Sequence, residues 1–345
     1  MKRLLFIALI VLMTVALAAC GGNNDSKNVN NNDQTNHSQN NAGDASSNDS
    51  NAGDTDSGAD QANKATEYPL SVTDATGLEI TFTKAPERIV STSPSETEIL
   101  FALGLGDRIY GVSDYDNYPE QALSKPKIGG IVTPNEEAII AAEPDLVISG
   151  ISMKSDVADK LRSLGLVLYK TDASKLEDVL NNILRIGVIT DTQVKAEELV
   201  AGMREDIRKV TEAAGTLQDS DKKKVYIEFA PGWTVGKGEF MDELITMAGA
   251  LNIASSIEGW SPVNEEMIIQ ENPDVILFAA DMVDYETGKP LQELITARSG
   301  WDQVEAIKNN QLFGLNEDIM SRTGPRLTQG LLDVAEAVYP GLVKK

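Results

Sequence analysis

The chain is poor in the side chains that carry most nucleophilic and soft-metal chemistry. Its 345 residues include one cysteine, Cys20, and one histidine, His37, and both precede position 67. The rest of the chain therefore cannot form a Ser-His-Asp or Cys-His catalytic set, a thiolate metal site or a histidine-based zinc or manganese site. A lone cysteine also excludes an internal disulfide. We therefore expect that the protein is not an enzyme and that it has no catalytic residue, no metal site and no cofactor.

Basic residues are also scarce relative to acidic ones. Lysine and arginine total 30 and aspartate and glutamate total 53, which gives a formal charge of −23 at pH 7. Nucleic acids and anionic membrane surfaces attract proteins with basic surfaces. We therefore expect no nucleic acid partner, and we do not expect the folded part to bind an anionic membrane directly.

The first residues have the pattern of an export signal. Met1-Lys-Arg precedes an apolar run from Leu4 to Ala19, which is followed by Cys20. Roughly 16 apolar residues behind two positive charges suit a signal peptide and are short for a membrane span. The junction Leu17-Ala-Ala-Cys20 resembles the lipobox of bacterial lipoproteins, which implies a signal peptide over 1–19 and a lipid on Cys20. A plain signal peptide cut near Ala19 and an uncleaved anchor are the alternatives.

A polar segment follows the cysteine. From Gly21 to about Glu67 the chain is asparagine, aspartate, serine, glycine and alanine with almost no apolar residue. Such a segment cannot bury enough surface to offset its ordering entropy, so we expect a disordered tether over 20–66. A flexible coil of this length spans roughly 35–40 Å. The prediction is a lipid-anchored protein on the extracytoplasmic face of the cell membrane.

The folded part contains an internal repeat. Residues 134–148 read PNEEAIIAAEPDLVI and residues 263–277 read VNEEMIIQENPDVIL, with seven of fifteen positions identical. Each copy predicts a helix that begins at the glutamate pair, ends before Pro144 or Pro273, and leads into a buried strand. A strand, a loop and a helix also precede each copy, and the duplication therefore predicts two similar lobes.

Local patterns complete the predicted fold. Leu70–Phe82 predicts a hairpin with Gly77 in its turn, and Ser95 and Glu98 have the spacing of a capping box that begins a helix at Glu96. Residues from Thr192 to Gly215 predict one long helix of roughly 34 Å, enough to cross from one lobe to the other. The fold class is α/β: two Rossmann-like lobes with mostly parallel sheets, joined by one long α-helix. We place the lobes at 67–175 and 218–345 and the helical linker at 176–217.

This organisation resembles the helical-hinge class of ABC-importer substrate-binding proteins. Three segments are most similar to cobalamin-binding members, and they begin at Gly111, Glu228 and Ser321: GVSDYDNYPEQA, EFAPGWTVGKG and SRTGPR. The resemblance covers about residues 68–340. It implies a protein that captures cobalamin, or a related corrinoid, between two lobes and delivers it to an ABC permease dimer with its ATPase.

The resemblance also implies roles for individual residues. Glu137 and Glu266, one on each lobe, correspond to glutamates that dock on basic pockets of the permease. The predicted ligand contacts are Tyr115, Trp233, Trp260, Asp318 and Arg322. Arg322 could instead bind backbone carbonyls, and Trp233 and Trp260 could be ordinary packing residues.

Two positions depart from the cobalamin pattern. Ile131 and Gly150 stand where the family places aromatic residues, so the first lobe offers a less aromatic wall. A ferric siderophore or haem is therefore the alternative ligand. Haem would need an axial tyrosine or methionine, because the folded part has no histidine. An extracellular carboxylate-based hydrolase and a surface adhesin are the alternatives from other functional classes.

Overall fold

The computed structural model describes residues 64–344. The predicted signal peptide, Cys20 and nearly all of the predicted tether lie outside the described residues. Within that range, no helix combines the length and the apolar character that crossing a membrane requires.

The N-terminal lobe, predicted to span 67–175, is built on a parallel sheet with the strand order β4-β3-β5-β6, preceded by the antiparallel β1-β2 hairpin. Its strands are mostly apolar and almost entirely buried, as expected for a parallel sheet covered on both faces, and Tyr110 of β4 is the exposed exception. The predicted hairpin is confirmed, with Gly77 in its turn at a φ of +83°. Its elements are β1 Leu70–Thr73, β2 Glu79–Phe82, β3 Ile89–Ser91, α1 Pro94–Ala102, β4 Ile109–Gly111, α2 Glu136–Ala141, β5 Leu146–Ser149, α3 Ser155–Ser163 and β6 Leu168–Lys170.

The C-terminal lobe, predicted to span 218–345, is built on a mixed sheet with the order β10-β8-β7-β11-β12, in which β9 also pairs with β7. Strands β7, β11 and β12 are parallel, whereas β8 and β10 form an antiparallel edge. Its elements are β7 Lys224–Ala230, β8 Trp233–Val235, α6 Phe240–Met247, β9 Leu251–Asn252, β10 Trp260–Pro262, α7 Glu265–Glu271, β11 Val275–Ala279, α8 Leu291–Thr296, α9 Glu305–Lys308, β12 Leu312–Leu315, α10 Glu317–Ser321 and α11 Leu327–Val338. The prediction of an α/β fold with two lobes is confirmed.

Two antiparallel helices occupy the predicted linker. The long helix expected from Thr192 is confirmed as α5, Gln193–Ala214, and α4, Leu176–Thr190, lies beside it. Arg204 of α5 pairs with Glu177 at the start of α4 at 2.8 Å, which is consistent with the antiparallel arrangement. The connection is therefore a helical hairpin. The boundaries at 175 and 217 stay a prediction, because residues 64–344 belong to one compact unit.

The internal repeat corresponds to two copies of one substructure. Helices α2 and α7 have equivalent asparagine caps: Asn135 accepts from the Ala138 amide at 3.1 Å, and Asn264 accepts from the Met267 amide at 3.0 Å. Shortly before each proline lies a left-handed residue, Glu143 or Asn272, each with a φ of +48°.

In each lobe, a basic side chain at the start of an earlier strand donates a hydrogen bond to a backbone carbonyl at the end of the repeated helix. The Arg88 guanidinium donates to the Ala142 carbonyl at 2.7 Å, and the Lys224 ammonium donates to the Glu271 carbonyl at 3.0 Å. The two acceptor residues, Ala142 and Glu271, occupy equivalent positions in the two copies of the repeat. The duplication therefore extends from sequence to hydrogen bonds, which supports two quasi-equivalent lobes.

Candidate functional site

The carboxyl ends of the parallel strands in the N-terminal lobe form one wall of a cleft. Ser93 follows β3, Ser152 follows β5 and Ser174 follows β6, so three loops converge at the edge of the sheet where α/β proteins bind ligands. Gly150 belongs to the same edge. A Cβ at Gly150 would lie 2.7 Å from Ser93 Oγ and 2.5 Å from Glu96 Oε2, so there is no room for the aromatic side chain expected there.

The cleft encloses a cavity of about 230 Å³ between the lobes. Its lining from the N-terminal lobe comprises Ser93, Ser95, Ile151, Ser152, Ala173 and Ser174. Its lining from the C-terminal lobe comprises Glu239, Phe240, Met241, Trp260, Ser321 and Thr323. Half of these residues carry hydroxyl groups, and none of them is basic. The lining is therefore suited to hydrogen bonding, and with Glu239 as its one charged side chain it is unfavourable for an anionic ligand.

Two tryptophans lie together on the antiparallel edge of the C-terminal lobe. In the register of β8 and β10, Trp260 pairs with Val235 and Trp233 pairs with Pro262, so the tryptophans are diagonal neighbours on one face. They are 44% and 43% exposed, for Trp233 and Trp260 respectively, which is high for side chains of this size. Trp260 lines the cavity, whereas Trp233 is not among its lining residues and lies diagonally from Trp260 on the same face of the strand pair.

The Trp233 turn is held by a buried ion pair within the same lobe. The Glu228 carboxylate is fully buried, accepts from both terminal nitrogens of Arg298 at 2.6 Å, and accepts from the Gly232 amide at 2.9 Å. Tyr226 donates its hydroxyl to the same carboxylate. This network fixes the backbone that presents Trp233.

The remaining predicted ligand residues lie at the seam between the lobes rather than on the cavity wall. Tyr115 is 62% exposed on the loop after β4. Arg322 is nearly buried and donates to Asp318 at 2.6 Å, to Asn117 at 2.8 Å and to the Tyr115 carbonyl at 3.3 Å. Asn117 in turn donates to Asp318 at 2.8 Å.

Glu98 is an ion-pair partner and not the capping residue predicted from its spacing. Helix α1 begins at Pro94 rather than Glu96, with Ser93 as its first flanking residue, and Ser95 and Glu98 do not form the predicted capping box. The Glu98 carboxylate instead accepts from Arg322 at 3.0 Å and from Arg326 at 2.8 and 2.7 Å. The prediction was wrong because proline at the first helical position can begin a helix without a side-chain cap.

Two further buried carboxyl groups, those of Glu96 and Asp116, lie beneath the cleft. Burial raises the pKa of Glu96, against a hydrogen bond from Thr171, and nearby Asp116 raises it further. Burial also raises the pKa of Asp116, against a hydrogen bond from Ser113. Neither carboxyl pairs with an arginine in the described part of the chain. The surroundings of Glu96 and Asp116 therefore shift both carboxyl groups toward the protonated form.

The two predicted docking glutamates are at equivalent positions on α2 and α7. Glu137 and Glu266 are exposed, and neither forms an ion pair with a described residue. Their neighbours differ: Glu136 pairs with Lys160 at 2.5 Å, and Glu265 approaches Arg298 at 3.6 Å. In each lobe the first glutamate is thus engaged internally and the second is directed to solvent.

Another cavity, of about 380 Å³, lies wholly in the C-terminal lobe between β12 and α11. None of the predicted site residues lines it. Among the described residues, no group of three or more histidine, cysteine, aspartate or glutamate side chains is arranged to hold a metal ion.

Comparison with known proteins agrees with this architecture. The family model described as "Periplasmic binding protein" matches residues 89–319. The chain belongs to this family.

Individual members of the family are similar over most of their length. An uncharacterized ABC transporter substrate-binding lipoprotein of Bacillus subtilis, YvrC, is 34% identical over 83% of this chain and 90% of its own. A cobalamin-binding protein of Halobacterium salinarum is 26% identical over 81% of this chain and 76% of its own. The solved structure of a periplasmic heme-binding protein, RhuT of Roseiflexus, has a TM-score of 0.66 and 26% identity over 74% of this chain and 99% of its own.

These findings confirm two predictions at the level of the family. The chain is a substrate-binding protein of an ABC transporter, and it is not an enzyme. The roles of the individual site residues stay predictions.

Proposed function

We propose that this protein captures cobalamin, or a related corrinoid, between its two lobes and delivers it to an ABC permease dimer with its ATPase. We further propose that a lipid on Cys20 anchors it to the extracytoplasmic face of the cell membrane through the tether over 20–66. The Bacillus relative named as a lipoprotein supports the anchor, and the Halobacterium relative supports the ligand.

The observation that carries the ligand proposal is the surface formed by Trp233 and Trp260. A corrin is a broad, mostly apolar disc fringed with amides, and two half-exposed tryptophans on one face offer it a flat wall. The hydroxyl groups of the opposite wall suit the amide fringe, and the absence of basic side chains from the cavity lining disfavours anionic ferric chelates. Among the twelve residues that line the cavity, Met241 is the one side chain of a type that could ligate haem iron, and it is buried.

The cavity volume is small for every candidate ligand. About 230 Å³ is below the range of roughly 300–1,000 Å³ that drug-sized ligands occupy, so a corrinoid bound to the closed lobes must lie mostly outside the cavity, against the exposed tryptophans. An uncharged ferric siderophore is the alternative that a lining without basic side chains admits, and haem follows from the Roseiflexus neighbour.

Cyanocobalamin binding to the purified full-length protein tests the proposal. Trp260→Ala removes a central aromatic anchor, and we expect about 2 kcal/mol of lost binding, roughly 30-fold in Kd, by titration calorimetry. Leu251→Ala is the matched control, because Leu251 is an exposed apolar residue beside the amino end of β7, away from the cleft. Its Kd should equal that of the parent.

The same titration distinguishes the candidates. Saturation by cyanocobalamin at one molecule per chain supports the corrinoid. Saturation by ferrichrome or haemin with no response to cyanocobalamin replaces it with the corresponding alternative. No response to any of the three would overturn the proposed ligand class.

A further inference from the structure

The lobes are joined across their seam by a charged cluster, separately from the α4–α5 hairpin. Glu98 lies on α1 of the N-terminal lobe, and Arg322 and Arg326 lie after α10 in the C-terminal lobe. Both arginines bind the one carboxylate at 2.7 to 3.0 Å. We refer to Glu98, Arg322 and Arg326 as the interlobe clasp.

The side chains of the clasp are largely buried. The Glu98 side chain is 1% exposed, and those of Arg322 and Arg326 are 10% and 21% exposed. Arg326 also stacks its guanidinium on the ring of Tyr118 in the N-terminal lobe at 4.0 Å. Ion pairs withdrawn from water in this way are strongly disrupted when one partner is removed, because the other charge is left uncompensated.

The clasp lies beside the cleft. Ser321 and Thr323 line the cavity and flank Arg322, and Ser95 lines it from α1, the helix that carries Glu98. Gly324 lies against the Ser95 backbone across the seam, since a Cβ at Gly324 would be in van der Waals contact with the Ser95 carbonyl oxygen at 3.4 Å. A change in the separation between Glu98 and the two arginines must therefore change the separation between the two walls.

We propose that Glu98 is a positioning residue that sets the width of the cleft by holding the two lobes together through Arg322 and Arg326. The ligand then binds to a state in which the clasp is closed, and its release requires the clasp to open. The link to ligand binding rests on the function proposed above, whereas the mechanical claim does not.

Pairs of spin labels on the two lobes test the mechanical claim. Ile140 of α2 and Ile269 of α7 occupy equivalent places in the repeat and are 46% and 38% exposed, so both accept a labelled cysteine. The parent is the full-length chain with Cys20→Ala, Ile140→Cys and Ile269→Cys, since Cys20 is the sole native cysteine. We expect one narrow distance distribution in the parent and a broader, longer one after Glu98→Gln.

The matched control is a buried ion pair confined to one lobe. The Asp74 carboxylate is fully buried, like that of Glu98, and pairs with Arg162 within the N-terminal lobe. Asp74→Asn should reduce thermal stability to a similar degree and leave the distance distribution unchanged. Arg326→Gln, which opens the clasp from the other side, should broaden it as Glu98→Gln does, and it provides a second measurement if Glu98→Gln does not fold.

Ligand dissociation tests the functional claim. With cyanocobalamin as the probe, we expect Glu98→Gln to raise the dissociation rate by roughly tenfold through a smaller closed population, with a smaller effect on association. Asp74→Asn should leave both rates unchanged. An unaltered distance distribution in both Glu98→Gln and Arg326→Gln overturns the clasp. A broadened distribution with an unaltered dissociation rate overturns its role in binding, and failure of the parent to bind cyanocobalamin overturns only the proposed ligand.

Discussion

At the scale of single residues, charge burial is the property that the sequence pattern conveys least well. Glu96, Glu98 and Glu228 appear in the sequence as ordinary acidic residues, yet all three side chains are buried. Glu98 and Glu228 are compensated by arginines more than 65 positions away. Such partners are brought together only by the fold, so neither ion pair could be predicted from spacing along the chain.

Glu96 lacks a compensating arginine among its described contacts, and this predicts how its removal affects stability. Because its pKa in the folded state is raised, the folded protein favours the protonated form. The stabilisation is fully present below the usual pKa of a carboxyl group and is lost as the pH rises through the raised value. Glu96→Gln retains an acceptor for Thr171, which donates to Glu96 at 2.6 Å, and removes the buried charge.

We therefore expect Glu96→Gln to raise the free energy of unfolding at pH 7 by about 1–3 kcal/mol, the range associated with an uncompensated buried polar group. Its advantage over the parent should shrink as the pH falls toward 4. Urea titrations of both proteins at several pH values measure this difference. If the difference in the free energy of unfolding between parent and variant stays constant across these pH values, the raised pKa of Glu96 is contradicted.

At the scale of helices and strands, the sequence was most informative where a pattern repeats. The repeat at 134–148 and 263–277 predicted both helices, their ends before the two prolines, and both buried strands. The pattern over Thr192–Gly215 predicted α5. Periodicity did not reveal that α4 lies within the linker as a second helix packed against α5. Both helices are amphipathic, and each covers the other's apolar face. Mutual packing is a tertiary property that neither helix reveals by itself.

The end of α2 provides a test of the local backbone geometry. Glu143 has a φ of +48°, a left-handed conformation that costs a residue with a Cβ about 1–2 kcal/mol relative to glycine. We expect Glu143→Gly to stabilise the protein by up to about 1 kcal/mol, after allowance for the greater backbone entropy of glycine in the unfolded chain.

Glu143→Ala is the control for the loss of the carboxylate. It retains the Cβ and the strain, so its free energy of unfolding should lie within about 0.5 kcal/mol of that of the parent. Thermal and urea denaturation of the three proteins gives the comparison. Equal stabilisation by alanine and glycine would place the effect in the side-chain charge and not in the backbone.

At the scale of the whole molecule, the site depends on relations between lobes that the sequence does not encode locally. The sequence predicted two lobes and a cleft, and it selected Trp260, which lines the cavity. It did not predict the hydroxyl-rich opposite wall, because serines in three separate loops carry no common motif. It also did not predict that Arg322 would bind Glu98 across the seam.

The fixed relation between the lobes bears directly on delivery to the permease. Glu137 and Glu266 present one solvent-directed carboxylate from each lobe, and the hairpin and the clasp hold the lobes together. When two weak contacts are rigidly linked, binding of the first raises the effective concentration of the second. Docking should therefore depend on both glutamates, although an exposed ion pair contributes only about 0.2–1 kcal/mol by itself.

We expect Glu137→Gln and Glu266→Gln each to weaken the complex with the permease by up to about fivefold, the equivalent of one exposed ion pair, and the double variant to weaken it by at least the product. Affinity for ligand should not change in any of them. Raising the salt concentration should reduce the difference between the parent and the variants, because screening weakens exposed charge pairs.

Glu136→Gln and Glu265→Gln are the matched controls, since they are adjacent carboxylates of the same helices that are engaged by Lys160 and Arg298 within their own lobes. Binding of each full-length variant to the permease in lipid nanodiscs, at low and at physiological salt, provides the measurement. If the controls weaken docking as much as Glu137→Gln and Glu266→Gln do, the effect reflects the net acidity of the helix ends. A selective loss at the second glutamate of each pair would instead show that the duplicated helices present two specific contacts to a partner with matching twofold symmetry.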